Sequence, residues 1–408
     1  MEEEISTVNI VDKDEQHGSK GGILFMAGKL KIAMLGHKRI PSREGGIEIV
    51  AEELSARLVQ LGHEVTCYNR RGHHVSGAEF DGEQLSEYKG IKIRTVPTIE
   101  RKGLAAMTSS FFAAVKAAFG HYDIVHIHAE GPAAMCWIPK LCGKRVVVTV
   151  HGLDWQREKW KGGFGSKYIK FGEKCAVKFA DEIIVLSEGV RKYFMDTYGR
   201  KTLYIPNGVN RPEIREAAEI RKRWGLEKDS YILFLGRLVP EKGLRYLVEA
   251  YKGLVKNGGA DKKLVIAGGG SDTDAFAEEL KQVCEDIKDH VIFTGFIQGK
   301  TLDELYSNCF IYILPSDLEG MPLSLLEAMS YGNCCLVSDI DECRSVVGSK
   351  AVLFRKSDVE DLKGKLKMLL DDENVVQKYK KSAADYICRK YGWDRVVERT
   401  VGVYGKRK

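Results

Sequence analysis

The sequence predicts an α/β protein built as two doubly wound domains that face each other across a cleft. Three observations carry that expectation. Short apolar runs of strand length alternate with longer stretches in which apolar residues recur every three or four positions. Glycine turns follow several of the strand runs. The pattern stops at Ile205-Pro-Asn-Gly-Val209 and then starts again. Alternating strands and helices give a mostly parallel sheet covered on both faces, so each half reads as a Rossmann-like unit.

In the first half, strands are expected at residues 31–36, 63–68, 91–96, 124–127, 145–150, 182–186 and 203–205. The first run leads through Gly45-Gly46 into a helix over 47–61, where Ile47, Val50, Ala51, Leu54 and Leu58 keep helical spacing. The second half places strands at 231–236, 263–267, 291–294, 311–314, 334–337 and 351–354. The closing stretch from Tyr391 to Tyr404 is amphipathic. The expected divisions are a loose tail over 1–29, a first domain over 30–205, a second over 206–385 and a final helix over 386–408.

With 408 residues, 44% of them hydrophobic, the chain can bury two ordinary cores. No apolar run reaches the 18 residues of a membrane span. The ten cysteines sit mostly inside apolar runs without Cys-x-x-Cys or metal-ligand spacing, and read as reduced core thiols of a cytoplasmic protein. Met1-Glu-Glu-Glu4 opposes the basic start of a secretory signal. Residues 30–200 carry 26 Lys/Arg against 19 Asp/Glu, which exceeds the whole net charge of +6. The basic surplus therefore belongs to the first domain.

The most informative stretch runs from Leu314 to Gly332. A buried strand ends at Pro315, Pro322 suits a first helical position, and Leu323, Leu326 and Met329 recur at helical spacing. Glu319 then lies in the loop over the helix N-terminus, and Glu327 lies inside the helix, roughly 7 Å further along its axis. Two carboxylates so placed can hold different parts of one extended ligand. Their spacing alone is common by chance; the strand, proline, glycine and helix around them carry the signal.

Arg237 and Lys242 follow the strand ending at Leu235 and precede a helix containing Leu244, Leu247 and Ala250, so both converge on the same cleft. A diphosphate leaving group needs its negative charge neutralised, and Arg, Lys and helix N-termini do this without a metal. Glycine permits close backbone approach at Gly268 and Gly269, and at Gly45 and Gly46 opposite, where two bare residues open the first helix. His151 ends a buried strand in Val148-Thr-Val-His-Gly-Leu-Asp154 and faces the cleft. His126 and His128 alternate on another strand, as cleft residues or as satisfied neighbours.

Residues 155–178 interleave Trp155, Trp160, Phe164, Tyr168 and Phe171 with seven Lys/Arg. That mixture suits an anionic membrane surface or a lipid-pyrophosphate acceptor, and equally a solvated helix. Phe111, Phe112, Val115 and Phe119 extend the same face. No nucleic-acid motif accompanies the charge.

The stretch from Leu314 to Gly332, with Arg237, Lys242 and the Thr294-Gly295-Phe296 loop, resembles the Glu-x7-Glu, Arg/Lys and nucleobase-loop motifs of the retaining glycosyltransferases of family 4, over roughly residues 30–404. The resemblance implies the GT-B fold, with the last helix crossing back onto the first domain. It implies phosphate contacts from Arg237 and Lys242, donor-sugar contacts from Glu319, ribose contacts from Glu327 and nucleotide contacts near Gly268, Gly269 and Gly295. His151 and Gly46 complete the donor pocket from the other domain. The donor is a nucleotide-diphosphate sugar, a UDP-sugar by this reading, with no metal or other cofactor. The segment Gly36 to Gly46 and Asp154-Trp155 look most like members that build bacterial exopolysaccharide or capsule on polyprenyl-linked acceptors, at the inner face of the membrane.

Two Asp-x-Asp strings, Asp272-Thr-Asp274 and Asp339-Ile-Asp341, are set aside as metal sites because that chemistry belongs to a one-domain fold. The loop over 338–347 departs from the family form, with Ser345 where a Glu is usual, which leaves its role open. Two alternatives stand beside transfer: a nucleotide-sugar 2-epimerase of the same fold, and a nicotinamide-dependent oxidoreductase, which the missing Gly-x-Gly-x-x-Gly disfavours.

Overall fold

The computed structural model describes residues 28–73, 85–101, 103–160, 163–269 and 275–405. The expected tail over 1–29 falls almost wholly outside these residues, as do Asp272 and Asp274.

The first sheet has eight strands: β1 (Lys31–Leu35), β2 (Glu64–Arg70), β3 (Glu87–Tyr88), β4 (Ile91–Val96), β5 (Ile124–His128), β6 (Arg145–Val150), β7 (Glu182–Val185) and β8 (Leu203–Tyr204). Their order across the sheet is β3-β4-β2-β1-β5-β6-β7-β8. The second sheet has six: β9 (Tyr231–Leu235), β10 (Lys263–Ala267), β11 (Val291–Gly295), β12 (Ile311–Leu314), β13 (Cys334–Ser338) and β14 (Val352–Phe354), in the order β11-β10-β9-β12-β13-β14. That is the doubly wound order 3-2-1-4-5-6. All pairings are parallel except β3 with β4. The central strands are buried on both faces, which is why they read as continuous apolar runs rather than as alternation.

The structure differs from the expected elements in three local places, the first being that the helix expected over 386–408 begins only at Trp393, because residues 386–390 end the preceding helix Glu373–Lys390. A short antiparallel strand, β3, joins β4 through Lys89 and Gly90, both at positive φ; two residues are too few to leave a periodic signal. Pro322 sits just outside its helix, which begins at Leu323, because its ψ of 100° is extended rather than helical.

Strand order reverses between β1 and β5 in one sheet and between β9 and β12 in the other, and crevices open at the carboxyl ends there. Residues Trp393–Gly405 form the last helix, which packs on the first-domain helix Gly46–Gln60. Arg57 lies over the Trp393 ring at 5.4 Å, the Tyr404 hydroxyl is 2.7 Å from His126 Nδ1, and Arg145 Nη2 donates to the Val403 carbonyl at 2.9 Å. The preceding helix, Glu373–Lys390, packs on the second domain. One continuous chain end thus ties both domains together. Eight of the ten thiols are buried, and burial pushes Cys67 and Cys309 up to about 12, so they behave as apolar core groups.

Candidate active site

A cleft of about 1050 Å³ lies between the domains, at the carboxyl ends of β1, β5, β6, β9 and β10. The domains meet there backbone to backbone. A Cβ on Gly320 would stand 1.8 Å from the His151 carbonyl oxygen and 3.0 Å from Gly152 Cα. Only a residue without a side chain lets the Glu319-Gly320 turn lie on the end of β6. This contact puts Glu319 and His151 on the same cavity wall region from opposite halves of the chain.

On the second-domain side, β9 ends in Gly236-Arg237, and a turn at Pro240–Lys242 leads through Gly243, φ 67°, into the helix Leu244–Lys256. A Cβ on Gly243 would stand 1.9 Å from the Pro315 carbonyl, so this turn packs directly on the loop after β12. Lys242 Nζ lies 2.5 Å from Glu319 Oε1, and Ser316 Oγ donates to the same oxygen at 2.6 Å. Glu319 Oε2 carries no hydrogen bond among the described residues. Arg237 forms no ion pair among the described residues; burial, then the Arg157 charge opposite, holds its guanidinium below the ordinary value.

Glu327 lies in the helix Leu323–Ser330 with both oxygens engaged. Arg43 Nη2, from the first domain, donates to Oε1 at 2.8 Å, and the Tyr306 hydroxyl donates to Oε2 at 3.2 Å. Gly268 and Gly269 line the cleft after β10; Gly268 has φ 144° and no room for a Cβ against the Gly236 carbonyl. Gly295 does not line the cleft. Its carbonyl accepts from Gly268 N at 2.9 Å, so it supports that loop from behind, and Phe296 and Ile297 reach the cavity instead.

On the first-domain side, Gly45 and Gly46 open the helix Gly46–Gln60 without any side-chain cap, which leaves its first amides toward the cleft. His151 is held by a buried chain of rings. His151 Nε2 is 3.1 Å from His128 Nδ1, His128 stacks on His126 at 4.4 Å, and His126 Nε2 is 2.7 Å from Thr149 Oγ1. Burial lowers His151 to about 4 and His126 to about 3, so these rings are neutral near pH 7. His126 and His128 therefore act as a second layer that orients His151.

Arg157, in sequence one more basic residue of an aromatic segment, lines the cleft. The turn Asp154–Gln156 directs it into the cleft, where its Nε pairs with Asp154 at 2.9 Å. Asp154, then Glu319, hold its charge firmly on. The turn is braced from below by Glu130, whose Oε2 accepts from Asp154 N at 2.8 Å. Burial, Asp154 and a hydrogen bond with Glu173 raise the Glu130 carboxyl well above the usual range. Glu130 Oε1 and Glu173 Oε1 are both buried without a hydrogen-bond partner. Glu173 Oε2 accepts from Tyr193 and Tyr198 at 3.0 and 2.7 Å.

The segment 155–178 is divided rather than presented as one face. Trp155 Nε1 is buried, and Trp160 and Tyr168 line the cleft; Phe171 points to solvent, and Phe164 stands at the cleft mouth, 74% exposed. In the loop over 338–347, Glu342 lines a side cavity of about 310 Å³ with Arg237, Lys242 and Glu319. A carboxylate thus reaches this region one helical turn before Ser345. Asp339 instead pairs with Arg344. Among the described residues no group of three His, Cys, Asp or Glu could hold a metal ion.

Two family models match the chain. Glycosyltransferase Family 4 covers residues 44–211, and Glycosyl transferases group 1 covers residues 216–386. An uncharacterized glycosyltransferase of Methanocaldococcus jannaschii is 24% identical over 92% of this chain and 98% of its own. A UDP-Gal:alpha-D-GlcNAc-diphosphoundecaprenol alpha-1,3-galactosyltransferase of Escherichia coli is 29% identical over 63% of this chain and 69% of its own. Among solved structures, HepE of Anabaena in complex with UDP-glucose superposes with a TM-score of 0.75 at 16% identity, covering 92% of this chain and 99% of that one, a likeness of fold. The two matched models meet at the same junction between the two sheets, and the chain belongs to the GT-B glycosyltransferases of family 4.

Proposed function

We propose that the chain moves a sugar from a UDP-sugar to a hydroxyl of a polyprenyl-linked glycan in bacterial polysaccharide synthesis, with retained configuration and without a metal. The observation that carries this reading is the set of cations around Glu319. Arg237 is unpaired among the described residues, Lys242 is neutralised by Glu319 itself, and Arg157 faces them from the other domain. A diphosphate entering between them adds the negative charge this cluster lacks. The neutral His151 and the free Oε2 of Glu319 then meet sugar hydroxyls, and Glu327 meets the ribose.

In the reaction, the bond from the anomeric carbon to the phosphate oxygen breaks as the acceptor oxygen approaches from the same face. The acceptor proton passes to the departing phosphate oxygen. Arg237, Arg157, Lys242 and the uncapped amides at Gly45-Gly46 stabilise the charge that grows on the diphosphate. No side chain is assigned as a covalent nucleophile. Support for the donor comes from the UDP-glucose complex of HepE, and for the acceptor from the diphosphoundecaprenol-linked substrate in the name of the Escherichia coli relative.

No helix among the described residues is long and apolar enough to cross a membrane. A peripheral contact at the inner membrane face is proposed through the outward aromatic residues. Phe111, Phe112 and Phe119 on the helix Leu104–Phe119, Leu141 beside it, and Phe164 and Phe171 are exposed, with Lys116, Lys167, Lys170 and Lys174 on the same helices.

The test is thermal unfolding with UDP, GDP, ADP, dTDP and NAD, for the natural chain and Arg237→Met. Replacing Arg237 leaves no ion partner behind among the described residues, and the melting transition of the variant without ligand reports its fold. Saturation at 100 times the dissociation constant adds about 2.7 kcal/mol, a shift of a few degrees. A shift with UDP that Arg237→Met loses supports the reading; a response to NAD alone, or to no diphosphate, defeats it.

A further inference from the structure

The first-domain wall of the cleft holds more positive charge than the donor site uses. Among the described residues, that wall contributes seven Lys/Arg and four Asp/Glu to the lining. Arg43 and Arg157 are committed to Glu327 and Asp154. Arg70, Arg71 and Lys38 are not: none of their side chains forms a hydrogen bond or ion pair among the described residues. Arg70 ends β2, with its Nε buried and unpartnered. Burial holds its guanidinium below the ordinary value despite Glu48 and Glu44 nearby.

The backbone around these three residues is tightly knitted. Arg70 N donates to the Lys38 carbonyl at 2.6 Å. The Asn69 side chain bonds Ile40 N and Ile40 O at 3.0 and 2.9 Å, and Arg39 Nη2 donates to the Gly72 carbonyl at 2.7 Å. Arg71 N is fixed by Thr98 Oγ1 at 3.1 Å. A half-buried guanidinium on so rigid a frame, near Glu48 and Glu44 but hydrogen-bonded to neither, is prepared for an anion from outside. Beyond Arg101, the start of the helix Leu104–Phe119 turns Leu104 and Met107 to the same cleft. The exposed Phe111 and Phe112 continue that apolar course along the helix.

We propose that Arg70, with Lys38 and Arg71, forms a second anion site in the cleft, which holds the phosphate or pyrophosphate of the acceptor. The proposal rests on the glycosyltransferase reading for the word acceptor, and narrows it to an anionic one. Its site lies on the opposite wall from Arg237 and Lys242, so acceptor and donor phosphates bind together without competing. Shared phosphate chemistry has two sources, a prenyl-linked pyrophosphate or a soluble sugar phosphate, and the apolar course beside Arg101 favours the first.

Isothermal titration of the full chain saturated with UDP tests this, using farnesyl pyrophosphate, glucose 1-phosphate and neutral octyl glucoside as probes. Farnesyl pyrophosphate is expected to bind with UDP present, and Arg70→Gln to weaken it at least about tenfold while UDP affinity stays unchanged. Retained UDP binding also shows that the variant is folded. Arg71→Gln, altered at an exposed side chain, provides a second reading with a few-fold loss. Arg70-dependent binding of glucose 1-phosphate as tight as that of farnesyl pyrophosphate keeps the anion site and assigns it a soluble acceptor. Equal binding by the natural chain and Arg70→Gln, displacement of the anion by UDP, or preference for octyl glucoside overturns the proposal. If UDP itself fails to bind, the titration is run without it; Arg70-dependent anion binding then upholds this site while the donor reading falls.

Discussion

Arg43 of the first domain and Glu327 of the second, 284 positions apart in sequence, form an ion pair across the cleft at 2.8 Å. Both groups are partly shielded, and the Glu327 carboxylate is the main reason that the Arg43 guanidinium holds its proton above the ordinary value. With Tyr306 on its other oxygen, Glu327 is fully engaged before any nucleotide enters. In the proposed donor site, a ribose therefore shares this carboxylate with Arg43 or displaces it.

Glu327→Gln keeps the shape of the side chain and removes its charge. UDP affinity is expected to fall about tenfold, the scale of one hydrogen bond to a charged group. Affinity for 2′,3′-dideoxy-UDP should be the same in both proteins. If the dideoxy nucleotide loses as much, Glu327 acts on domain closure and does not meet the ribose.

Gly320→Ala introduces a Cβ where the His151 carbonyl lies 1.8 Å away. The two domains must separate locally, which moves Glu319 from His151. Transfer is expected to drop by more than tenfold with the melting temperature lowered only modestly, because each sheet keeps its own core. A fully active Gly320→Ala would show that this contact is absent during turnover.

Arg157→Met removes the cation that faces Arg237. Loss of one preorganised charge at a departing diphosphate is expected to lower kcat about a hundredfold, with a smaller change in KM for the donor. A change confined to KM would assign Arg157 to ground-state binding.

Stability should depend on pH through the buried histidines. Burial holds His37 and His151 at about 4 and His126 at about 3, with His128 also well below its ordinary value. Unfolded, these rings take protons near 6.5 and the folded rings do not, so their contribution is complete above 6.5 and is lost as pH falls toward 4. Each costs up to about 1.4 kcal/mol per pH unit in that window. Glu130 works in the opposite sense: its raised value adds stability at low pH that is lost as pH rises through the folded value. Urea midpoints at pH 7, 6 and 5 should fall progressively; equal midpoints would mean that the histidines are not buried as described.

Phe164→Ser with Phe171→Ser removes two outward aromatic rings at little cost to the core. Sedimentation with anionic phospholipid vesicles is expected to lose several-fold in bound fraction, while UDP still shifts the melting curve. Unchanged sedimentation would move the membrane face elsewhere.

Much of the architecture could be read from residues alone. Central parallel strands are buried on both sides, so β1, β9 and β12 appear as unbroken apolar runs whatever surrounds them. The placement of Arg237, Lys242 and Glu319 on the cleft also follows from local sequence, because each comes after a strand and before a helix within a few positions. Other features depended on contacts between distant segments. Arg157 looked like one more basic residue among aromatic ones until the Glu130 carboxyl fixed its turn against the cleft. His126 and His128 were ambiguous on an alternating strand, and it is the last helix, through Tyr404, that makes one of them a brace. Gly295 reads as a contact residue but stands one layer behind Gly268. Which segments become strands and helices follows from the local residue pattern, since burial and periodicity act within a few residues. Which charges meet across the cleft follows from the folded arrangement, because Coulomb and hydrogen-bond energies depend on distances in space that neighbours in the chain do not set.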